Sequence, residues 1–95
     1  MSSLLKDEGL YILDEPENSF SPEMQLKLSD LIEYMAKYNN CQIIMATHSP
    51  FLLSTRGARI YNLDGCPARI SKFEELYAMK MYYQFFTSMK TTFEN

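Results

Sequence analysis

Glycine is scarce in this 95-residue sequence, which holds only three: Gly9, Gly57 and Gly65. None of them begins a G-x-x-x-x-G-K-[ST] loop. Such a loop cradles nucleotide phosphates with its backbone N–H groups and reaches them with its lysine. The sequence therefore lacks a phosphate-gripping segment of that kind.

Cysteine and histidine are equally sparse. Cys41 and Cys66 form no C-x-x-C pair, and His48 is the one histidine. This set offers no metal-type cluster. We expect two reduced thiols in a cytosolic protein rather than a disulfide.

A surplus of basic charge and long apolar runs are missing too. The formal net charge is −3 and no run of Lys and Arg occurs, so nothing indicates a surface for nucleic acid or an anionic membrane. No stretch approaches the roughly 20 apolar residues of a membrane helix, and residues 1–8 do not resemble a signal peptide. With 46% apolar residues, the composition predicts a globular cytoplasmic protein.

Two short apolar runs predict neighbouring buried strands. Residues 10–13 (LYIL) and 41–46 (CQIIMA) are continuous rather than alternating, which is typical of a parallel sheet covered on both faces. Between them, Ser21 can cap a helix beginning at Pro22, and residues 39–40 (NN) can end it in a left-handed turn. This order predicts a right-handed βαβ crossover. The helix carries an apolar stripe at helical spacing: Met24, Leu28, Leu31, Ile32, Met35 and Tyr38.

The remainder predicts smaller elements and a long last helix. We expect a helical turn at 51–54, a strand at 58–63, a turn at 64–65 and a returning strand at 68–71. Residues 73–93 predict a helix whose apolar stripe suits either a core or a partner-binding surface, and we favour the core. The stripe consists of Leu76, Met79, Tyr82, Tyr83, Phe86, Met89 and Phe93.

Two consecutive acids, Asp14 and Glu15, close the first strand. The carboxyl ends of parallel strands form the ligand-binding edge of an open α/β sheet. There, one carboxylate can hold Mg²⁺ and the other can orient water for phosphoanhydride hydrolysis. Taken alone, the two acids leave open a solvated acidic turn.

His48 follows the second strand within residues 46–50 (ATHSP). The crossover places it at the same edge as Asp14 and Glu15. An imidazole there can donate a hydrogen bond to a γ-phosphate and sense its loss, whereas a lone histidine is usually structural.

Three ordered segments resemble the Walker B, D-loop and switch-histidine motifs of ABC-type ATPases: 10–15 (LYILDE), 16–22 (PENSFSP) and 46–50. The Asp-Glu-Pro-Glu and Thr-His-Ser-Pro forms resemble the soluble predicted ATPases of the AAA/ABC-like superfamily more than transporter subunits. The resemblance implies ATP and Mg²⁺ as ligands. It implies Asp14 as the magnesium ligand, Glu15 as the catalytic glutamate and His48 as the switch histidine.

The resemblance also matches Asn18, Ser19 and Ser21 to the D-loop, which in the family crosses a dimer interface toward the partner's phosphate site. Transporter-type D-loops usually carry Asp where this chain has Ser21. Ser21 is therefore also interpreted as a helix cap alone.

The implied fold is α/β, a partial P-loop NTPase of the ABC type with three layers, a mostly parallel sheet and a C-terminal helix. Residues 1–95 would form a single partial domain, with a motif-bearing core at 9–64 and the C-terminal helix at 72–93. In the family, the phosphate-loop strand lies between the switch-histidine strand and the strand resembling 58–63. Its absence predicts an open inner edge that invites association, so we expect a fragment, a split half or a domain-swapping species.

The predicted function is ATP binding and hydrolysis together with a Walker A-bearing half or a homologous protomer, a homodimer included. The chain alone is expected to be inactive. The alternative is a non-catalytic interaction module or a truncated remnant that keeps the motifs. A nucleic-acid-handling ATPase lacks any basic feature in its favour, and the Pro-Glu-Asn continuation disfavours a transporter subunit.

Overall fold

The computed structural model describes residues 9–63 and 67–94. These residues fall into two compact units, one ending at Ala58 and the other beginning at Arg59. Each unit has a two-stranded sheet of its own. The single, mostly parallel sheet that the sequence predicted is therefore not formed among the described residues, because its third strand pairs elsewhere.

The first unit is built on a parallel strand pair, as predicted. Strand β1 is Gly9–Asp14 and strand β2 is Cys41–Ala46. They pair in register from Gly9 opposite Cys41 to Asp14 opposite Ala46. Because both strands end at the same level, the residues that follow them emerge at one edge of the sheet.

Helix α1, Pro22–Tyr38, connects the two strands. The hydroxyl of Ser21 accepts a hydrogen bond from the Met24 N–H at 3.3 Å, which confirms the predicted cap. Proline suits the first helical position because it has no N–H to satisfy there. At the other end, Asn40 adopts a left-handed φ of 56°, so the predicted turn into β2 is confirmed.

The buried face of α1 differs from the predicted apolar stripe. It combines polar and apolar side chains: Gln25, Ser29, Ile32 and Met35. Three members of the predicted stripe are exposed instead: Met24, Leu31 and Tyr38. The prediction was wrong for these three because Gln25 and Ser29 find hydrogen-bonding partners beyond β2, and these partners turn the helix toward its polar side.

Those partners flank helix α2, a single turn at Pro50–Leu53 close to the predicted 51–54. Ser49 caps α2 and donates its own hydroxyl proton to Oε1 of Gln25. At the far end, Thr55 donates to the Leu52 carbonyl at 2.7 Å, so the hydroxyl of Ser29 is the donor in its 2.6 Å contact with Thr55. Within the described ranges no buried side-chain N or O atom lacks a hydrogen-bonding partner.

One face of the β1–β2 sheet is uncovered in the described part of the chain. Ile12 is 72% exposed, and Leu10 and Ile44 are exposed beside it. The alternate residues Tyr11 and Ile43 are half-buried, on the opposite face. The predicted burial on both faces was therefore wrong for this chain by itself.

The second unit begins with an antiparallel pair. Strand β3, Ile60–Asn62, is shorter than the predicted 58–63. Strand β4, Arg69–Ser71, confirms the predicted returning strand and pairs with β3 from Ile60 opposite Ser71 onward. The predicted turn at 64–65 and the thiol of Cys66 lie outside the described residues.

The last part of the chain is divided rather than one continuous helix. A 3₁₀ turn at Phe73–Glu75 is followed by α3, Tyr77–Ser88, and α4, Lys90–Glu94. The first break is at Leu76, which is extended with ψ 132°. Of the predicted stripe, Met79 is buried, but four aromatic members are exposed: Tyr82, Tyr83, Phe86 and Phe93. Leu76 and Met89 are half-buried, so the core interpretation holds for Met79 and in part for these two, but not for the four aromatic members in the chain by itself.

None of the helices in residues 9–63 and 67–94 combines the length and the apolar character needed to span a membrane.

The buried hydrogen bonds between α1 and the two ends of α2 predict how a substitution at Ser29 changes the free energy of unfolding. Ser29→Ala should lower the free energy of unfolding by about 1 kcal/mol, because it removes a buried hydrogen bond. Were Ser29 solvent-facing, alanine would instead stabilise the helix by a few tenths of a kcal/mol. Urea denaturation measures the difference.

Ser54→Ala is the matched control, since the Ser54 hydroxyl donates to the Phe51 carbonyl at 2.8 Å on the exposed surface. We expect a change below about 0.5 kcal/mol there. A stabilised Ser29→Ala variant would contradict a buried hydrogen bond between Ser29 and Thr55.

Candidate functional site

The site begins where the paired strands end. The N–H of Glu15 donates to the Ala46 carbonyl at 2.7 Å, which continues the strand pairing by one residue. Glu15 itself has a left-handed backbone, with φ 45° and ψ 55°. This conformation costs a non-glycine residue roughly 1 kcal/mol. It turns the chain sharply into the 3₁₀ turn Pro16–Ser19.

Glu15 and His48 meet at this edge. Oε1 of Glu15 lies 3.8 Å from Nδ1 of His48, and the side chains are 45% and 89% exposed. The separation is too long for a hydrogen bond, but a protonated imidazole at this distance attracts the carboxylate. The expectation that these two side chains share one edge agrees with the geometry.

Glu17 is the residue that sequence reasoning missed. One carboxylate oxygen accepts the Thr47 hydroxyl at 2.6 Å, and the other accepts the His48 backbone N–H at 3.0 Å. The Thr47 hydroxyl in turn accepts the Ser49 N–H at 3.0 Å. A third acid, following Asp14 and Glu15, was the available signal, but its partners lie 30 and 31 residues away in the sequence, beyond any local pattern.

These contacts control the ionisation of Glu17. Partial burial alone would raise the pKa of this carboxyl. The hydrogen bonds from the Thr47 hydroxyl and from the backbone, with the nearby His48 charge, outweigh burial and hold the pKa below its usual value. Glu17 is therefore ionised at neutral pH and accepts at both oxygens.

The other predicted site residues lie around this edge. Asp14 is exposed at the end of β1, opposite Ala46. Asn18 and Ser19 are exposed in the 3₁₀ turn, whose closing bond runs from the Asn18 N–H to the Glu15 carbonyl at 3.2 Å. The hydroxyl of Ser21 serves as the cap of α1. Roles of these residues at a protomer interface remain predictions.

Oxygen-rich groups suited to a divalent cation are present at the edge. Among the described residues, candidate ligand atoms of Glu15, Glu17 and His48 lie within 4.8 Å of one another. Asp14 is not part of this group, but its exposed carboxylate is the ligand type that Mg²⁺ prefers. Both oxygens of Glu17 already accept hydrogen bonds from the chain, so we assign Glu17 to the loop rather than to a metal.

Comparison with known proteins connects this edge to a family. Residues 1–54 match the family described as "AAA domain, putative AbiEii toxin, Type IV TA system". The chain belongs to this AAA-domain family. The matched range contains both strand ends and therefore every predicted site residue from Asp14 to His48.

Two relatives extend the similarity to ABC-type ATP-binding proteins. The chain is 32% identical over 83 residues to the zinc import ATP-binding protein ZnuC of Yersinia pseudotuberculosis, covering 81% of this chain and 33% of that protein. It is 29% identical over 62 residues to the thiamine import ATP-binding protein ThiQ of Photobacterium profundum, covering 62% and 26%. The predicted membership of the ABC/AAA ATPases is confirmed.

The chain spans about a third of the length of ZnuC. No solved structure matches the chain.

The lowered pKa of Glu17 predicts a pH dependence. The stability that the ionised carboxylate adds is fully present above the ordinary glutamate pKa, and it is lost as the pH falls through the lower folded-state pKa. The difference in free energy of unfolding between the natural chain and Glu17→Gln should therefore shrink on acidification. Denaturant titrations over a pH series measure it, and a difference that stays constant into acid would contradict the assignment.

Proposed function

We propose that this chain supplies the Mg²⁺-binding and water-activating edge of an ATP-hydrolysing site of the ABC type. The observation that carries the proposal is the meeting of Glu15 and His48, 3.8 Å apart, at the carboxyl end of a parallel strand pair. A carboxylate and an imidazole at such an edge suit the hydrolysis of a bound nucleotide. Membership of an AAA-domain family supports this reading.

Each side chain has a role that its chemistry suits. Asp14 would ligate Mg²⁺, which when bound neutralises charge on the phosphates. Glu15 orients the attacking water and accepts its proton, since its carboxylate stands exposed at the turn. His48 donates a hydrogen bond to the γ-phosphate, and its high exposure leaves the imidazole accessible to a nucleotide arriving from outside the chain.

In this proposal the phosphate-binding loop of the site is supplied by another part of the assembly. The sequence has no G-x-x-x-x-G-K-[ST] loop, so nothing in it holds a γ-phosphate in line with Glu15. A Walker A-bearing half, or a homologous protomer in a homodimer, would supply that loop. Asn18 and Ser19, exposed in the turn next to Glu15, are suitably placed to contact it as a D-loop.

The uncovered sheet face supports this arrangement. Leu10, Ile12 and Ile44 are exposed together, whereas strands of parallel sheets are normally covered on both faces. In the proposed assembly, further elements cover this face and complete the three-layer P-loop NTPase fold.

A non-catalytic interaction module is the second candidate. The exposed aromatic side chains of α3 and α4, such as Tyr83 and Phe93, favour it because Tyr and Phe are enriched at protein interfaces. The two functions differ in whether adding a Walker A half restores hydrolysis.

The missing phosphate loop predicts that catalysis requires two components. The purified chain should hydrolyse ATP no faster than the buffer background, since substrate positioning is absent. Adding the Walker A-bearing half should give Mg²⁺-dependent phosphate release, measured in a coupled assay with EDTA as the control. Hydrolysis by the chain alone would contradict the proposal that a second component completes the site. A stable but inactive complex would favour the interaction module.

The role of Glu15 predicts the behaviour of an isosteric variant of the complex. Glu15→Gln should lower kcat on the order of 100-fold or more, because an amide cannot accept the proton of the attacking water. Nucleotide affinity, measured by a fluorescent ATP analogue, should change little. Glu74→Gln makes the same chemical change at an exposed glutamate of the second unit and should leave kcat unaltered. Equal rates for the two variants would remove Glu15 from the reaction.

A further inference from the structure

We propose that Glu17 is a positioning residue that sets where the His48 imidazole stands. Its carboxylate fixes the backbone of the loop that follows β2, and through that backbone it directs the imidazole toward Glu15. The functional consequence rests on the proposed ATPase function, whereas the geometric part stands without it.

The loop is held by its backbone and not by the imidazole. The His48 side chain is 89% exposed, and its contact with Glu15 is a 3.8 Å approach between the imidazole and the carboxylate. Such an exposed contact contributes little ordering energy. The backbone at residues 47–49 therefore sets the direction in which the His48 side chain leaves the loop.

Glu17 contacts this segment at two adjacent residues, at one backbone N–H and at one side-chain hydroxyl. It accepts the His48 N–H directly and the Thr47 hydroxyl beside it, at 3.0 and 2.6 Å. The same Thr47 hydroxyl accepts the Ser49 N–H, and Ser49 caps α2. One carboxylate thereby orders the whole segment between β2 and α2.

The chemistry of the contacts favours a carboxylate. Both partners of Glu17 are donors, and only an ionised acid accepts at both oxygens. A glutamine offers one accepting oxygen and one donating nitrogen. Its oxygen can still accept the His48 N–H and its nitrogen can donate to the Thr47 hydroxyl, but these neutral bonds are weaker than those to an ionised carboxylate. Glutamine should therefore restore part of the order that alanine removes.

Glu17 also ties the two ends of the site together. It lies in the 3₁₀ turn that begins directly after Glu15, while its partners belong to the loop carrying His48. A displacement of one loop is thus transmitted to the other. Because misplacement of a reacting group by about 1 Å can cost on the order of 100-fold in rate, this link would matter for hydrolysis without touching the substrate.

The first test uses the chain alone and needs no nucleotide. Hydrogen exchange and NOE spectra are recorded for the natural chain, Glu17→Ala and Glu17→Gln. In Glu17→Ala, exchange of the His48 amide should accelerate about 10-fold, and NOEs between the His48 ring and the Glu15 methylenes should vanish. Glu17→Gln should be intermediate. Amides of β1 and β2 report that the fold is intact.

Glu33→Gln is the matched control, a half-buried glutamate on α1 in the same unit, and should leave the His48 amide and NOEs unchanged. Natural exchange and NOEs at His48 in folded Glu17→Ala would overturn the proposal. If Glu17→Ala does not fold, Glu17→Gln decides: faster His48 exchange supports the proposal, and unchanged exchange overturns it.

The second test uses the complex with the Walker A-bearing half. Glu17→Ala should lower kcat on the order of 100-fold with KM changed less than about threefold, and Glu17→Gln should recover part of the rate. An unchanged kcat alongside a disordered His48 loop would overturn the catalytic consequence. A complex that hydrolyses no ATP in its natural form would refute the proposed function instead, while the spectra still decide the positioning role.

Discussion

The parallel pairing of β1 with β2 is the constraint on which the rest of the site depends. The strands run in register to Asp14 opposite Ala46, and the Glu15 N–H adds one more bond to the Ala46 carbonyl. Both chain segments therefore leave the sheet at one level. Since parallel strands need a crossover between them, this level also brings together residues that α1 separates in the sequence. Without that register, the acids and the imidazole would have no common edge.

Directional polar contacts then hold the loop after β2 from two sides. Glu17 accepts from the loop on one side, at Thr47 and His48, and on the other Gln25 of α1 accepts the hydroxyl of Ser49. Such polar contacts add little net free energy when satisfied, and the buried one between Gln25 and Ser49 is costly when its partner is lost. Because they are directional, they favour one arrangement of the loop, whereas apolar contacts would allow several. In this arrangement α1 buries Gln25 and Ser29, and Met24 and Leu31 remain exposed.

The proposed assembly explains both the uncovered apolar face of the β1–β2 sheet and the lack of a phosphate-binding loop at the site. A chain that spans about a third of ZnuC holds one parallel pair, with one helix layer against it. Its exposed Ile12 and Ile44 need a cover, and its exposed carboxylates need a phosphate held in line. A single partner that brings both a sheet layer and a phosphate loop would meet both needs. Folding and catalysis would then depend on the same association.

Short-range features of the sequence predicted the local elements and the chemistry at their ends. The apolar run before Asp14, the Ser21 cap and the run before Thr47 act over a few residues, and the structure reproduces them. They did not predict which face of α1 is buried or what Glu17 contacts. Both depend on hydrogen bonds between residues more than 20 apart, such as Ser29 with Thr55 and Glu17 with Thr47. The periodicity of apolar residues shows how apolar each face of a helix is. A polar side chain, however, is buried only where a hydrogen-bonding partner satisfies it. When that partner is distant in the sequence, only the folded chain shows it.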